Sequence, residues 1–362
     1  MSENLALMDI GEIRKDIDDL DNALLDLLNR RAEQVLAIGR CKEQNGALVF
    51  DPARERQILD RLAGRSRGPL SSQALAEIFG AIFAVHRLLE KRLTVVYFGG
   101  AGSFSHIAAR RKFGDAADLG PADATADVFQ AVEKKEADLG VVPIENTTAG
   151  VVPLTLDALA ESKLSICAEI YVDIEHSLLS HCRELEDIKR VYSHPQPLAQ
   201  CRIWLRSHLP RVEVVSVGST ARAAELAAAE PDSAAVGPAL AAELHQIPVL
   251  RAQIHDQADN RTRFFVVGQA PALPSGRDKT SLLFSVPHQA GALHRALGVF
   301  SSHHINMTFI QSHPTKRTPW EYMFFVDVQG HADQPPLAQA LAELREQTSL
   351  LRVLGSYPEE FP

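Results

Sequence analysis

A chain of 362 residues exceeds what one hydrophobic core usually organises, which predicts two or three domains. Hydrophobic residues make up 46% and charged residues 23%, the composition of a folded globular protein. The net charge of -9 excludes nucleic acid as the main partner, because phosphate binding needs a surplus of clustered Lys and Arg. No stretch approaches the roughly 20 apolar residues of a membrane helix, so no membrane partner is expected.

The four cysteines are dispersed and form neither a C-x-x-C motif nor a dense framework. This pattern suits a reducing compartment, in which thiols stay free. Residues 1–20 are acidic and contain no apolar signal core. We therefore predict a cytoplasmic protein with structural thiols at Cys41, Cys167, Cys182 and Cys201.

Apolar residues at helical spacing dominate the first part of the chain. They recur by threes and fours, which predicts one long amphipathic helix, at Ile10, Ile13, Ile17, Leu20, Leu24 and Leu27. Asp51 and Pro52 are a suitable N-cap and first-turn pair for a second helix. A third helix is predicted from Ser71 or Ser72 to about Arg92. Residues 1–92 are thus expected to form an all-helical domain.

Basic residues lie on the apolar stripe of the first helix. Arg31 and Lys42 continue the stripe, and Arg14 flanks it. They could snorkel or pair with charges on another helix, and this interpretation stays open. Seventeen residues separate Arg14 from Arg31, roughly 25 Å along a helix, so one small ligand held by both needs two subunits. Arg31 and Lys42 are about 16 Å apart and can converge.

Residues 7–91 resemble the all-helical chorismate mutase family. The resemblance rests on I-x-x-I-R-x-x-I-D at 10–18, L-L-N-R-R at 27–31, Lys42, D-P-x-R-E at 51–55 and Glu90. It implies a homodimer in which the first helix spans both active sites. It also implies that Arg31, with Arg14 of the other subunit, holds the carboxylates of chorismate and that Lys42 donates to the ether oxygen. The further implied contacts are Asp51, Arg54, Glu55 and His86.

Glu90 departs from the glutamine that the family often has at this position. A glutamic acid donates to the ether oxygen only when protonated, and its unperturbed pKa is about 4.3. The sequence therefore predicts mutase activity that rises below neutral pH. His86 is a second departure, because some members have serine there.

From residue 93 the chain alternates short β-branched runs with Ala-rich helical stretches, as in α/β proteins. The alternation over residues 93–270 predicts two similar lobes with a cleft between them. Strands are expected at the LTVVYFGG run from Leu93, and at 139–145, 164–172, 189–194, 212–217, 233–237 and 263–268.

Four motifs follow these strands in order and resemble prephenate dehydratase over about residues 94–268. They are the glycine-rich turn before Ser103, in which Gly100 replaces the family's common proline, then V-P-I-E-N, Y-S-H-P-Q and the T-R-F triplet. The resemblance implies two lobes like those of a periplasmic solute-binding protein, with prephenate in the cleft. Each motif places hydrogen-bonding groups at a strand end, where a cleft would form.

Dehydration needs a donor for the departing hydroxide and a grip on the carboxylates of prephenate. The resemblance assigns the donor to Thr262, with Arg263 and the turn ending at Ser103 as carboxylate contacts. The other expected lining residues are Glu145, Asn146, Thr147, Ser193, Gln196, Ser219, Thr220 and Phe264. The alternative that Thr262, Ser193 and Ser219 only cap helices and turns stays open.

After a linker at 269–279, residues 279–358 predict a strand, helix, strand, strand, helix, strand order, which is ferredoxin-like α+β. This unit resembles an ACT domain that binds phenylalanine. The implied contacts are Gly291, Ala292, Leu293, Asn306, Ser312 and Pro314. The family commonly reads E-S-R-P where this chain has Q-S-H-P at 311–314, which removes an ion-pairing option. A purely structural dimerisation role is the alternative.

No cofactor is expected, and no metal site, because His176, His181, His303 and His304 lack an accompanying ligand set. The sequence thus predicts a bifunctional enzyme of phenylalanine biosynthesis. Its partners are chorismate, prephenate, phenylalanine as inhibitor, and a second copy of the helical domain. Two competing hypotheses are a non-catalytic carboxylate sensor, and a dehydratase whose helical domain is only a dimer clamp.

Overall fold

The computed structural model describes residues 9–45, 49–114, 117–257, 259–314 and 322–360. Its first domain consists of three helices, α1 (Ile10–Asn45), α2 (Pro52–Arg65) and α3 (Ser72–Glu90). Asp51 caps α2 by accepting from the Arg54 amide at 2.9 Å, and Ser71 caps α3 in the same way. The predicted long first helix, the predicted Asp51 cap and the predicted start of the third helix are confirmed.

Most of α1 is open to solvent. Among its described residues only Val35 is buried, and Leu20 on the apolar stripe is 68% exposed. The C-terminal half of α1 packs against α3, where Gly39 allows close approach: a Cβ there would lie 3.3 Å from Cγ of Glu90. The N-terminal half therefore presents an uncovered apolar face.

The second domain has two lobes, each built on one mixed sheet. The first sheet has the order β2-β1-β3-β11-β5, with β4 on β3, and the second has the order β10-β6-β9-β7-β8. The first-lobe elements are β1 (Thr94–Phe98), α4 (Phe104–Phe113), β2 (Asp118–Ala122), α5 (Thr125–Glu133), β3 (Leu139–Asn146), β4 (Gly150–Val151), α6 (Pro153–Glu161), β5 (Ser165–Asp173) and β11 (Arg261–Gly268). The second-lobe elements are β6 (Ser177–Ser180), β7 (Arg190–Ser193), α7 (Pro195–Gln200), α8 (Arg202–His208), β8 (Glu213–Ser216), α9 (Thr220–Ala229), β9 (Ser233–Gly237), α10 (Ala239–His245) and β10 (Val249–Arg251). The chain thus crosses between the lobes twice, after β5 and before β11.

The sequence prediction missed four of these strands. β2 reads DLGPA and is an exposed edge strand, so it carries neither β-branched residues nor alternation. β4, β6 and β10 have only two to four residues, which is too short for a periodic signal.

The third domain has the predicted ferredoxin-like order. It comprises β12 (Asp278–Ser285), α11 (Ala292–Ser302), β13 (Met307–Pro314), β14 (Tyr322–Gln329), α12 (Leu337–Gln347) and β15 (Leu350–Pro358). The sheet is antiparallel with the order β13-β14-β12-β15. Both helices cover one face of it, and its other face packs on the first lobe. The predicted multidomain fold class is thereby confirmed.

A shared hydrophobic core joins the third domain to the first lobe. Tyr357 and Phe325 pack with Ile144 and Phe265 of the first lobe. β15 also lies directly against β5, because a Cβ on Gly355 would fall 2.1 Å from the carbonyl oxygen of Ile166. Only glycine allows that approach of two backbones. Among the described residues, no helix is both long and apolar enough to cross a membrane.

Candidate active sites

The first candidate site lies between α1 and α3 and contains two of the predicted cations. Lys42 Nζ donates to Glu90 Oε2 at 2.8 Å and to the carbonyl oxygen of Val49 at 3.3 Å. The guanidinium of Arg31 donates to Nδ1 of His86. The structure thus brings Arg31, Lys42, His86 and Glu90 together along one groove, in agreement with helical spacing.

Burial shapes the charges of this groove. Burial lowers the pKa of His86, and the neighbouring Arg31 charge lowers the pKa further. His86 is therefore neutral at pH 7 and accepts the hydrogen bond from Arg31. Burial also lowers the pKa of Arg31, which the charge of Glu55 partly opposes. Arg31 remains a cation, and a bound dianion would compensate for the free-energy cost of burying its charge.

Glu55 has a partner that the sequence did not predict. Arg87 on α3 forms an ion pair with Glu55 and donates to the carbonyl oxygen of Lys112 at 2.9 Å. Arg87 is buried, so this pair fixes the Glu55 carboxylate. The signal for Arg87 was its place among apolar residues of α3. Arg54 has an exposed side chain, and its backbone amide donates to the Asp51 carboxylate that caps α2.

Arg14 does not join this groove within one chain. It is exposed on α1, roughly 25 Å from Arg31 along the helix axis. The uncovered apolar stripe of α1 surrounds it. Because of this separation, one ligand can contact both Arg14 and Arg31 only if a second copy of the chain supplies one of them.

The second candidate site centres on Thr262, which is nearly buried at the start of β11. Asn146 Nδ2 donates to Thr262 Oγ1 at 2.8 Å and to Asn260 Oδ1 at 2.7 Å. Asn146 Oδ1 accepts from the amides of Thr148 and Ala149 at 3.0 and 2.9 Å, so its orientation is fixed. Thr262 receives a hydrogen bond, and none of the described residues accepts its own proton. The hydroxyl is therefore free to donate to a ligand.

A β-bulge places Asn146 beside Thr262. Thr262 pairs with Asn146, whereas Phe264 pairs with Pro143, so β3 has one extra residue. Because side chains alternate along a strand, this residue, Ile144, turns Asn146 onto the face that carries Thr262. The bulge is thus what assembles the two polar groups.

The second lobe reaches this network through Gln200 at the end of α7. Gln200 Nε2 donates to Thr148 Oγ1 at 3.0 Å, and its Oε1 lies 2.8 Å from Nε2 of His176. Burial lowers the pKa of His176 to about 4, so this imidazole is neutral at pH 7 and donates to Gln200. The sequence prediction missed Gln200 and Asn260, because each lies just outside a motif.

The glycine-rich turn faces the second lobe. Ser103 caps α4 by accepting from the His106 amide at 3.2 Å. A Cβ on Gly100 would lie 3.3 Å from Cβ of Ala221 on α9, so the turn approaches the α9 N-terminus closely. Ser219 caps that helix, and Thr220 is its first residue. The structure thus brings Ser103, Ser219 and Thr220 to the same cleft.

Four predicted lining residues lie elsewhere. Glu145, Thr147 and Arg263 project from the opposite face of the sheet to Thr262, and Phe264 is in the apolar core. Their face bounds a cavity of about 330 Å³, lined by Glu145, Thr147, Tyr171, Asp173, Asp259, Arg261 and Arg263. The expectation that they surround one ligand with Thr262 is corrected, because adjacent strand residues point to opposite faces and the bulge pairs Asn146, not Glu145, with Thr262.

Two further residues of the Y-S-H-P-Q motif differ in placement. Ser193 is fully buried and donates to the carbonyl oxygen of Val236 at 2.6 Å, which ties β7 to β9. This contact fits the structural alternative for Ser193. Gln196 is exposed near the start of α7, on the helix that carries Gln200.

A cavity of about 510 Å³ opens in the third domain at the start of α11. Gly291, Ala292 and Leu293 line it with Ser285, Tyr322 and Phe324. The other predicted contacts, Asn306, Ser312 and Pro314, lie on or beside β13 and do not line it. In the Q-S-H-P segment His313 contacts Asp157 of α6, with 2.7 Å between Nε2 and Oδ1.

A cationic groove, a polar interlobe cleft and a ferredoxin-like ligand domain define a multidomain enzyme with two separate active sites. In the described part of the chain, no group of three or more His, Cys, Asp or Glu residues could hold a metal ion. Family models match in order: chorismate mutase type II at 13–91, prephenate dehydratase at 95–272 and the ACT domain at 280–346.

A bifunctional chorismate mutase/prephenate dehydratase of Aquifex aeolicus is 42% identical and covers 97% of this chain and 98% of its own length. The prephenate dehydratase of Arthrobacter aurescens in complex with L-Phe is 36% identical, with a TM-score of 0.68 over 74% of this chain and 90% of its own. GqqA, described as a novel type of quorum quenching acylase, is 34% identical, with the same TM-score over 74% of this chain and 98% of its own.

The chain belongs to the family of bifunctional chorismate mutase/prephenate dehydratases. It is an enzyme of phenylalanine biosynthesis with both activities and an ACT domain for regulation by phenylalanine. The predicted family and function are confirmed, and both competing hypotheses are set aside.

Proposed function

We propose that the mutase domain forms a homodimer whose active sites are shared between subunits. The exposed apolar stripe on α1 supports this proposal, because a second subunit would bury Ile17, Leu20 and Leu24. The position of Arg14 also supports it. Antiparallel copies of α1 would bring Arg14 of one subunit to the groove that holds Arg31 of the other.

In this shared site the mutase works by positioning and electrostatics. Arg31 and the second subunit's Arg14 hold the two carboxylates of chorismate in a compact conformation. The breaking ether oxygen gains negative charge, and Lys42 and Glu90, which lie 2.8 Å apart, can both donate to it. Glu55, held by Arg87, and the Asp51 backbone orient the ring hydroxyl, with Arg54 and His86 at the margins.

Mutase activity is expected to rise as the pH falls below neutrality and to become nearly pH-independent in Glu90→Gln. Glutamic acid donates to the ether oxygen only when protonated, whereas an amide donates at every pH. The measurement is the pH profile of kcat/KM for chorismate. The control is Glu43→Gln, an exposed carboxylate next to Lys42 in sequence. An unchanged profile in Glu90→Gln would remove Glu90 from the mechanism.

In the dehydratase site Thr262 donates a hydrogen bond to the departing ring hydroxyl of prephenate. Asn146 supports this role, since it donates to Thr262 Oγ1 and leaves the threonine proton for the ligand. Loss of carbon dioxide returns its bonding electrons to the ring as the hydroxide leaves, and aromaticity drives the step. Ser103, Ser219, Thr220 and Gln196 are the proposed cleft contacts for the substrate.

Phenylalanine regulates the dehydratase from the ACT cavity lined by Gly291, Ala292 and Leu293. The remaining proposed contacts, Asn306, Ser312 and Pro314, lie on or just before the edge strand β13, so we assign them to a second copy of the domain. The free state of all four cysteines supports a cytoplasmic location.

One assay tests both proposed activities and their regulation. Chorismate supplied to the purified enzyme should disappear with formation of phenylpyruvate, and phenylalanine should slow only the second step. This expectation rests on one observation: the same chain contains both the groove with Arg31 and Lys42 and the pair formed by Thr262 and Asn146. Accumulation of prephenate without phenylpyruvate would refute the dehydratase role.

A further inference from the structure

A buried ionic cluster joins the dehydratase domain to the ACT domain. Arg263 Nη1 donates to Asp327 Oδ2 at 2.5 Å, and Arg263 Nη2 donates to the Tyr357 hydroxyl at 3.0 Å. On the dehydratase side Arg263 Nε donates to Glu169 Oε2 at 2.8 Å. Lys279, the second residue of β12, donates to the other oxygen of Glu169 at 2.9 Å. The cluster thus has two members from each domain at its centre and Tyr357 at its edge.

The charges of this cluster are balanced and enclosed. Two cations face two anions, and every one of the four side chains is at most 7% exposed. Burial opposes the charge of Arg263, but Asp327, Tyr357 and Glu169 outweigh burial and raise its pKa. An ion network so enclosed is geometrically specific, because loss of one partner leaves another charge buried and unpaired. It resists small displacements of either domain.

Arg263 is also the neighbour of Thr262 on β11. Their side chains project from opposite faces, so the guanidinium holds the strand from behind while the hydroxyl faces the cleft. The β-bulge formed by Ile144 on β3 lies between the pairs that Arg263 and Phe264 form with that strand. Thr262 is paired on both sides, with Asn146 of β3 and Val172 of β5, and a displacement of Arg263 would therefore carry the adjoining backbone of Thr262 with it.

The ACT residues of the cluster share strands with the phenylalanine cavity. β12 carries Lys279 in the cluster and Ser285 at the cavity, and β14 carries Asp327 in the cluster and Tyr322 at the cavity. A ligand that shifts the cavity end of these strands also shifts their cluster end. A strand of eight residues moves as a nearly rigid unit. The domains are also in direct backbone contact at Gly355, so they cannot shift independently there.

We propose that Arg263 is a positioning residue that couples the ACT domain to Thr262, so that the cluster transmits phenylalanine inhibition to the dehydratase site. This inference rests on the proposed function of Thr262 and of the ACT cavity. It assigns Arg263 to transmission instead of to a substrate carboxylate.

The test is Asp327→Asn in the full-length enzyme, with Tyr357→Phe as a milder second variant. Asp327→Asn preserves shape and removes the charge that Arg263 contacts, and Tyr357→Phe deletes one hydroxyl. In saturating phenylalanine, the residual dehydratase activity of Asp327→Asn should be at least about fivefold higher than that of wild type. Phenylalanine binding, measured by calorimetry, should stay within about threefold, and kcat without phenylalanine within about twofold.

The matched control is Arg352→Gln. Arg352 crosses the same domain interface to the carbonyl oxygens of Ala160 and Ser162, away from Thr262, so its loss should leave maximal inhibition unchanged. Inhibition of both cluster variants to the wild-type extent would overturn the inference, as would loss of phenylalanine binding itself. A wild-type enzyme that lacks dehydratase activity or inhibition would instead contradict the proposed function.

Discussion

Arg14→Ala and Arg31→Ala, each inactive alone as a mutase, should together recover about a quarter of wild-type activity when mixed after dissociation. Each substitution removes one carboxylate contact and should lower kcat/KM on the order of a thousandfold. In a mixed dimer, one site has the intact Arg31 of the first chain and the intact Arg14 of the second, and the other site has neither. Random reassortment makes about half of the dimers mixed, which gives the expected fraction.

The measurement is chorismate disappearance before and after the variants are unfolded together and refolded. Arg30→Ala is the matched control, because Arg30 is exposed on α1 next to Arg31 and should be dispensable. Dehydratase activity reports that each preparation is folded. No recovery in the mixture, with both singles inactive, would show that the two arginines act within one chain or not at all.

Thr262→Val should lower dehydratase turnover on the order of a hundredfold to a thousandfold. Valine keeps the β-branched shape in the nearly buried position but cannot donate to the departing hydroxyl. It also leaves Asn146 Nδ2 with one acceptor fewer. The measurement is phenylpyruvate formation from prephenate, at saturating prephenate so that kcat is separated from KM.

Thr262→Ser is the control for this experiment, because it keeps the hydroxyl and should stay within about tenfold of wild type. Mutase activity should be unchanged in both variants, since the mutase groove is in another domain. If Thr262→Val retained normal turnover, the hydroxyl would have only the structural role that capping residues have, and the donor would have to be sought elsewhere.

The sequence predicted the helical domain well because its signals are local. The spacing of Ile10 to Leu27 along one face determined α1, and Asp51 with Pro52 determined the start of α2. The groove that holds Arg31, Lys42 and Glu90 follows from the same helical spacing. Arg87 escaped prediction, because an arginine among apolar residues on α3 has no local sign of its partner on α2.

The dehydratase site was predicted less completely. The motifs named both Thr262 and Asn146, whose side chains lie 2.8 Å apart, whereas Glu145, Thr147 and Arg263, expected around the same ligand, lie on the other face of the sheet. Arg263 lies on the opposite face from Thr262 because adjacent strand residues point to opposite faces. On β3 a one-residue bulge decides that Asn146, and not Glu145, pairs with Thr262. No local pattern in V-P-I-E-N announces that bulge.

The sequence by itself determined the order of three domains, the long amphipathic helix with its misplaced cations, and the motifs at the strand ends. These follow from periodicity, caps and turn residues, which act over a few neighbouring positions. Only the tertiary structure decided that Arg263 binds Glu169 and Asp327 across a domain boundary and that Gly355 admits the backbone of β5. Such contacts join residues far apart in the chain, and they depend on strand register and domain packing, which short-range physical preferences do not specify.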